Sequence, residues 1–247
     1  MVFVAGFTQR SAARLAIAIW PCQSAPVLAK DSAPAATQKA LVIAVDGPAA
    51  SGKGTIARAL AEHFGLPHMD TGLLYRQVAL NLWRWGGDPS SEFEALRACH
   101  ELGVDASDPE LRSEPVSRIA SAVSAYSGVR AALLKRQQDF AGQPRGAVLD
   151  GRDIGTVIAP DADVKLFVTA APEVRAKRRM GELLARGMPS HYDDVLLDVR
   201  ARDERDSHRD IAPLKPAEDA IVLDTTDLDV EAAIAEAIRL VEERLAA

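Results

Sequence analysis

The chain has 247 residues, 48% hydrophobic and 26% charged, which is enough apolar material for a full core and an ordinary balance for a globular protein. Its formal net charge of -6 argues against a general nucleic-acid-binding or membrane-surface role, and no stretch reaches the apolar length that crosses a bilayer. The two cysteines, Cys22 and Cys99, lie far apart without metal-ligand spacing and fit a reducing cytoplasm.

Met1 to Lys39 differs from everything after it. Ala, Ser, Gln and Pro are frequent, and Arg10, Arg14, Lys30 and Lys39 are set against Asp31 alone. The apolar run Leu15 to Trp20 follows two arginines but is short and ends at Pro21. Residues 1–39 are therefore expected to be a disordered extension, with the folded domain at 40–247.

Leu41 to Val45 is a continuous apolar run, as in a strand buried on both faces of a parallel sheet. Gly47, Pro48, Ala49, Ala50, Ser51, Gly52, Lys53 and Gly54 follow as a glycine-rich turn, and Thr55, Ile56, Ala57, Leu60, Ala61 and Phe64 mark a helix closed by Gly65. Strand, glycine loop, lysine and helix together form the P-loop arrangement, in which backbone N–H groups and the helix N-terminus surround a phosphate and the lysine reaches its oxygens. Gly54 occupies the usual Ser/Thr position, and Thr55 supplies the hydroxyl one residue later.

Leu66 to Asp70 reads as a second strand, ending in Asp70, Thr71 and Gly72 and leading to Tyr75 and Arg76, where a strand's carboxyl end places residues for an anion. A helix continues over Val78 to Trp85, with Trp83 and Trp85 expected to pack, until Gly86, Gly87 and Pro89 break it. Phe93 to Leu102 reads as a short helix and Asp105 to Pro115 as a loop. Val116 to Phe140 reads as a long helical pattern with a break near Gly128, presenting Ser121, Arg130, Lys135 and Arg136.

A third strand, Ala147 to Leu149, ends on Asp150, Gly151, Arg152 and Asp153. Asp150 is then in the position that orders Mg²⁺ or its waters, and Arg152 is able to neutralise a phosphate. Val164 to Val168 is a fourth strand, and Pro172 opens a helix carrying Arg175, Lys177, Arg178 and Arg179. On a further helix, Tyr192 to Ser207, the spacing of Arg202, Arg205, Asp206 and Arg209 puts them on one face. Ala220 to Leu223 is a fifth strand and Val230 to Leu245 a terminal helix. The five histidines lack metal-ligand spacing and read as ordinary.

Five short strands alternating with helices predict a doubly wound α/β domain with a five-stranded parallel sheet. Arginines at three separate places, Arg76, Arg152 and 175–209, suit two phosphorylated ligands, and no N-K-x-D segment of a GTPase is present.

The segments GPAASGKGT, DTGLLYR, YSGVRAALLKRQ, DGRDIGTV, RAKRRM and RARDERDSHRDIAPL occur in that order, and from Leu41 onward the chain resembles bacterial cytidylate kinase, a P-loop nucleoside monophosphate kinase. That resemblance implies a core sheet, a mobile monophosphate-binding part at about 71–140, and a LID at about 175–192. It implies ATP as phosphoryl donor with Mg²⁺, and CMP or dCMP as acceptor. Gly47 to Thr55 and Arg178 would bind ATP, with Thr55 and Asp150 near Mg²⁺. Lys53, Arg152, Arg178 and Arg179 would act in transfer. Tyr75, Arg76 and Arg152 would line the acceptor site, Thr71, Arg130, Asp153 and Arg209 would read cytosine, and Ser121, Arg202 and Asp206 would meet the sugar side. The family usually has serine where Thr71 stands, and often a small antiparallel insert for which Val104 to Pro115 is too short. A cytoplasmic monomer acting on small nucleotides, without nucleic acid or membrane, completes the expectation.

Overall fold

The computed structural model describes residues 40–103 and 107–247, so the expectation for 1–39 lies outside the described residues. Five parallel strands form one sheet in the order β2-β3-β1-β4-β5, with β1 Val42–Asp46, β2 His68–Asp70, β3 Ala147–Gly151, β4 Val164–Thr169 and β5 Ile221–Asp224. The predicted doubly wound α/β architecture is observed. The period of two in a strand sends Ile43 and Val45 to one face of the sheet and Ala44 to the other. On the first face they join Ile56, Leu60, Ala237 and Val241 of helices α1 (Lys53–Phe64) and α8 (Val230–Ala246). On the second, Ala44 and Leu149 meet Ala141 of α5 (Ser127–Ala141), Ile154 and Ile158.

Two helical groups add cores of their own. Helices α2 (Gly72–Trp85), α3 (Glu92–Ala98) and α4 (Glu114–Val123) pack with α5 around Val78, Leu82, Leu111, Val123 and Leu133. Helices α6 (Pro172–Ala185) and α7 (Tyr192–His208) pack through Ala176, Leu183, Val195 and Val199. Among the described residues no helix is long and apolar enough to cross a membrane.

Several boundaries differ from expectation. The pattern 116–140 divides at Ser124 to Tyr126 rather than at Gly128, because Tyr126 adopts extended backbone (φ -76°, ψ 128°). Gly128 lies inside α5, where its N–H donates to Glu92 Oε1 at 2.8 Å, a carboxylate from α3 serving the helix's unpaired N-terminus. The helix expected at 93–102 is α only to Ala98 and continues as a 3₁₀ turn, Cys99–Glu101, and the loop expected before Pro115 contains another, Pro109–Arg112. Trp83 and Trp85 do not pack inside. They are 51% and 46% exposed, since α2 turns Val78, Leu82 and Ala79 to the core and its last turn overhangs it.

Candidate active site

The carboxyl ends of β1, β2 and β3 open into one cavity of about 480 Å³, with the helical groups α2–α5 and α6–α7 supplying its walls. Its first component is the loop between β1 and α1. Ala50 has φ 57° and Gly52 φ 90°, so the loop bends back through left-handed backbone. Gly47 has φ 153°, and a Cβ there would stand 2.0 Å from the Val168 carbonyl oxygen. Gly47→Ala is therefore expected to lower stability by about 3 kcal/mol or more, read as a drop in thermal midpoint.

The loop is braced from behind. Ala49 O accepts from Arg175 Nη1 at 3.3 Å, and Ser51 O accepts from Thr225 Oγ1 at 3.1 Å. Arg175, counted among the arginines of 175–209 suited to a phosphorylated ligand, is buried behind the loop instead, its guanidinium donating in parallel to Asp203 at 2.9 and 2.6 Å. Lys53 Nζ donates to Pro48 O at 3.3 Å. Burial pushes this ammonium down to about 7, reinforced by Arg152 and opposed by Asp150 and Asp70, so a nearby anion would favour its charged form. Thr55 is exposed on the cavity wall and its hydroxyl accepts from Arg58 Nη2 at 3.3 Å.

The second component is the turn after β3. Thr71 fixes it from β2, donating its N–H (3.0 Å) and its Oγ1 hydroxyl (2.8 Å) to the Asp150 carbonyl. Arg152 Nε donates to Asp206 Oδ2 at 2.9 Å, with Arg202 Nε 3.9 Å from the same oxygen. Asp153 Oδ2 accepts from Arg130 Nη2, while Arg209 Nη2 stands 3.7 Å from Asp153 Oδ1. Arg130 lies 5.7 Å above the Tyr75 ring. Arg202 Nε and Arg209 Nη2 are both buried without a hydrogen-bond partner among the described residues, so two charged donors face the cavity in want of an acceptor. Arg76 anchors Nη1 on Leu111 O (2.9 Å) and Ser117 Oγ (2.8 Å), and burial lowers it to about 10. Arg202 is lowered to about 9, first by burial and then by Arg152.

Asp46, at the end of β1, ties the two components together. Its Oδ1 accepts from Ile154 N–H and its Oδ2 from Gly155 N–H, each at 2.8 Å. Burial raises its carboxyl to about 6, with Asp153 adding to the rise and Arg152 and the two amides opposing it. The folded protein thus binds this proton more tightly than the unfolded chain, whose carboxyl titrates near 3.8, and stability from Asp46 falls as pH rises from about 4 to 6, by about 3 kcal/mol. Asp46→Asn is expected to remove that fall, so the variant gains on the parent protein between pH 4 and 7 in denaturant midpoints.

Of the residues singled out in the sequence, Ala49, Ala50, Gly52, Lys53, Gly54, Thr55, Thr71, Tyr75, Arg76, Ser121, Arg130, Asp150, Arg152, Asp153, Arg179, Arg202, Asp206 and Arg209 line the one cavity. Arg209 is not on the α7 face as expected. The helix ends at His208, and Arg209 is extended (φ -67°, ψ 141°), held by Nε donating to Ala212 O at 2.6 Å. Arg178 is off the wall, its donors spent on Thr225 Oγ1 (2.9 Å), Thr225 O (2.7 Å) and Leu228 O (3.3 Å). Arg179 pairs with Glu114 of α4. The sequence reading passed over Arg112, which also lines the cavity, and over Arg205 as a site residue, though its place beside Arg202 and Asp206 was a signal. Arg205 donates to Ser121 Oγ at 3.4 Å.

Residues 43–243 match the family described as cytidylate kinase. The cytidylate kinase of Methylocella silvestris is 58% identical over 203 residues, spanning 82% of this chain and 94% of that protein. The cytidylate kinase of Xanthobacter autotrophicus is 56% identical over 207 residues, spanning 83% and 99%, and that of Granulibacter bethesdensis is 56% identical over 207 residues, spanning 83% and 98%.

Proposed function

The chain belongs to the cytidylate kinase family, and from that premise we propose that it transfers the γ-phosphoryl group of ATP to CMP or dCMP, giving ADP and CDP or dCDP. The observation that carries the reading is a single cavity in which a phosphate loop faces two buried arginine–aspartate pairs, Arg130–Asp153 and Arg152–Asp206, each flanked by a further arginine, Arg209 or Arg202, with a buried N–H left to give.

In this reading the loop amides from Gly47 to Gly54 and Lys53 hold the ATP phosphates, and Arg76 and Arg152 hold the phosphate of the acceptor, with Arg202 beside Asp206 on its sugar side. Arg130 and Arg209 donate to the cytosine carbonyl and ring nitrogen, while the Asp153 carboxylate, fixed by Arg130, accepts from its exocyclic amine. A uracil presents a carbonyl there and leaves Asp153 facing another acceptor. Ser121 and Asp206 meet the sugar side. An oxygen of the acceptor phosphate attacks the γ-phosphorus in line, the new P–O bond forms as the bond to the β–γ bridging oxygen breaks, and the electron pair leaves with ADP. The protein supplies position and charge rather than a nucleophile.

Mg²⁺ fits the residues present, since the Thr55 hydroxyl and the Asp150 carboxylate are hard oxygen donors on the same wall, a set this ion accepts along with water and phosphate oxygens. Bound there, Mg²⁺ would neutralise charge on the phosphates. We take α2–α5 as the monophosphate-binding part and α6–α7 as the lid, with Arg179 released from Glu114 to reach the transferring group.

The test is ADP formation from ATP and Mg²⁺ with CMP, dCMP, UMP and AMP offered separately. Turnover concentrated on CMP and dCMP is expected. Equal turnover on UMP would overturn the base-reading roles, and none on any acceptor would overturn the kinase reading.

A further inference from the structure

We infer that His68, a residue the sequence reads as ordinary, is a positioning residue for Asp150, holding that carboxylate so that its second oxygen stays turned to the phosphate loop. The inference rests on the proposed role of Asp150 toward Mg²⁺.

His68 Nε2 lies 2.8 Å from Asp150 Oδ2. A carboxylate can only accept, so the imidazole carries its proton on Nε2 and donates. The pair is well shielded, with side-chain exposures of 17% and 5%. Register explains how they meet. In the parallel pairing of β2 with β3, His68 is opposite Val148 and Asp70 opposite Asp150, so His68 sits two residues back along the strand on the face that carries Asp70, a diagonal its long side chain can span. Asp150 is thus fixed at two points, its carbonyl by Thr71 and its Oδ2 by His68. The carboxylate faces the start of α1, with Oδ1 3.7 Å and Oδ2 4.0 Å from where a Cβ on Gly54 would stand, next to Lys53 and one residue from Thr55. Gly54, in the place where other phosphate loops carry a hydroxyl residue, adds no side chain there, and a Cβ would already be in contact with the Asp150 carboxylate and with Arg58 Nη1 at 3.7 Å. A carboxylate held at one oxygen presents the other without the entropy of a free rotor, and loss of such a partner typically lowers metal affinity about 10–100-fold.

The experiment measures ATP affinity calorimetrically, without CMP, in the presence and absence of Mg²⁺, for the parent protein, His68→Leu, His68→Gln and Asp150→Asn. His68→Ala takes the place of His68→Leu if the latter does not fold. We expect the gain in ATP affinity on adding Mg²⁺ to shrink about tenfold in H68L. Glutamine, whose amide can still donate, should stay within about threefold of the parent. ATP affinity without Mg²⁺ should be unchanged in the two His68 variants, while Asp150→Asn, which removes a charge beside Lys53, serves to test the metal role through the size of the Mg²⁺ gain. An equal fall of affinity with and without Mg²⁺ in H68L would overturn the inference, because His68 would then act on the loop and not on the carboxylate. A gain that shrinks in D150N but not in H68L overturns the inference alone. A gain unchanged in D150N overturns the metal role of Asp150 and this inference with it.

Discussion

Lys53→Met is expected to lower kcat about a thousandfold while leaving the thermal midpoint within a few degrees of the parent. The two halves of this prediction have separate physical causes. Within the protein the ammonium makes one long bond, 3.3 Å to Pro48 O, and burial holds it down at about 7, so the fold gains little from its charge. A methionine keeps the aliphatic stem and removes a charge that is costly to bury. In transfer, the same charge would meet phosphate oxygens as negative charge redistributes in the transition state, in a cavity where water cannot screen it. Losing one such preorganised donor costs about 10²–10³-fold. Single-turnover rates with saturating ATP and CMP, beside a thermal melt, measure both halves. A kcat within tenfold of the parent would remove Lys53 from the catalytic set.

Arg130→Met carries the second large effect, on selectivity and on stability together. Arg130 and Asp153 are buried at 8% and 6% exposure and bonded to each other, so removing the arginine leaves a carboxylate in the interior with Arg209 at 3.7 Å as its nearest compensation. Breaking a buried pair from one side costs about 3–5 kcal/mol. Preference for CMP over UMP in kcat/KM should fall about 100-fold or more, since discrimination would depend on donors and an acceptor held in fixed geometry. The ATP KM should not move. Adding Asp153→Asn should return part of the lost stability, as the uncompensated charge is gone, and none of the selectivity. Selectivity intact in Arg130→Met would show that cytosine is read elsewhere.

Residues near in sequence and residues far apart differ in how legible they were. The phosphate loop was readable because its parts are local: the apolar run of β1, the glycines that permit positive φ, and the helix that begins at Lys53 all lie within about 25 residues. The carboxyl-end positions of Asp70 and Asp150 were readable for the same reason, Asp70 as the last residue of β2 and Asp150 as the first charge after the apolar Ala147 to Leu149 of β3. Arg209 shows where locality fails. Its spacing fits the α7 face, yet α7 stops one residue earlier, and the side chain reaches the cavity from extended backbone. Trp83 and Trp85 show the same limit on the apolar side, because period alone says which face a residue occupies but not whether anything covers that face.

By itself the sequence determined the parallel α/β class, the phosphate loop, the places where charge would gather and, through its ordered motifs, the family. Those properties follow from backbone preferences and side-chain periods acting over one or two turns of chain. The tertiary structure alone decided the partnerships: Asp46 with the amides of Ile154 and Gly155, His68 with Asp150, Arg152 with Asp206, and Arg130 with Asp153. It also decided that Arg175 would brace the loop from inside while Arg178 turned away to Thr225. These pairings join residues from 23 to 126 positions apart. No local rule fixes them, since which charge a buried group meets is set by sheet order and helix packing, and desolvation then demands a partner wherever that packing has placed it.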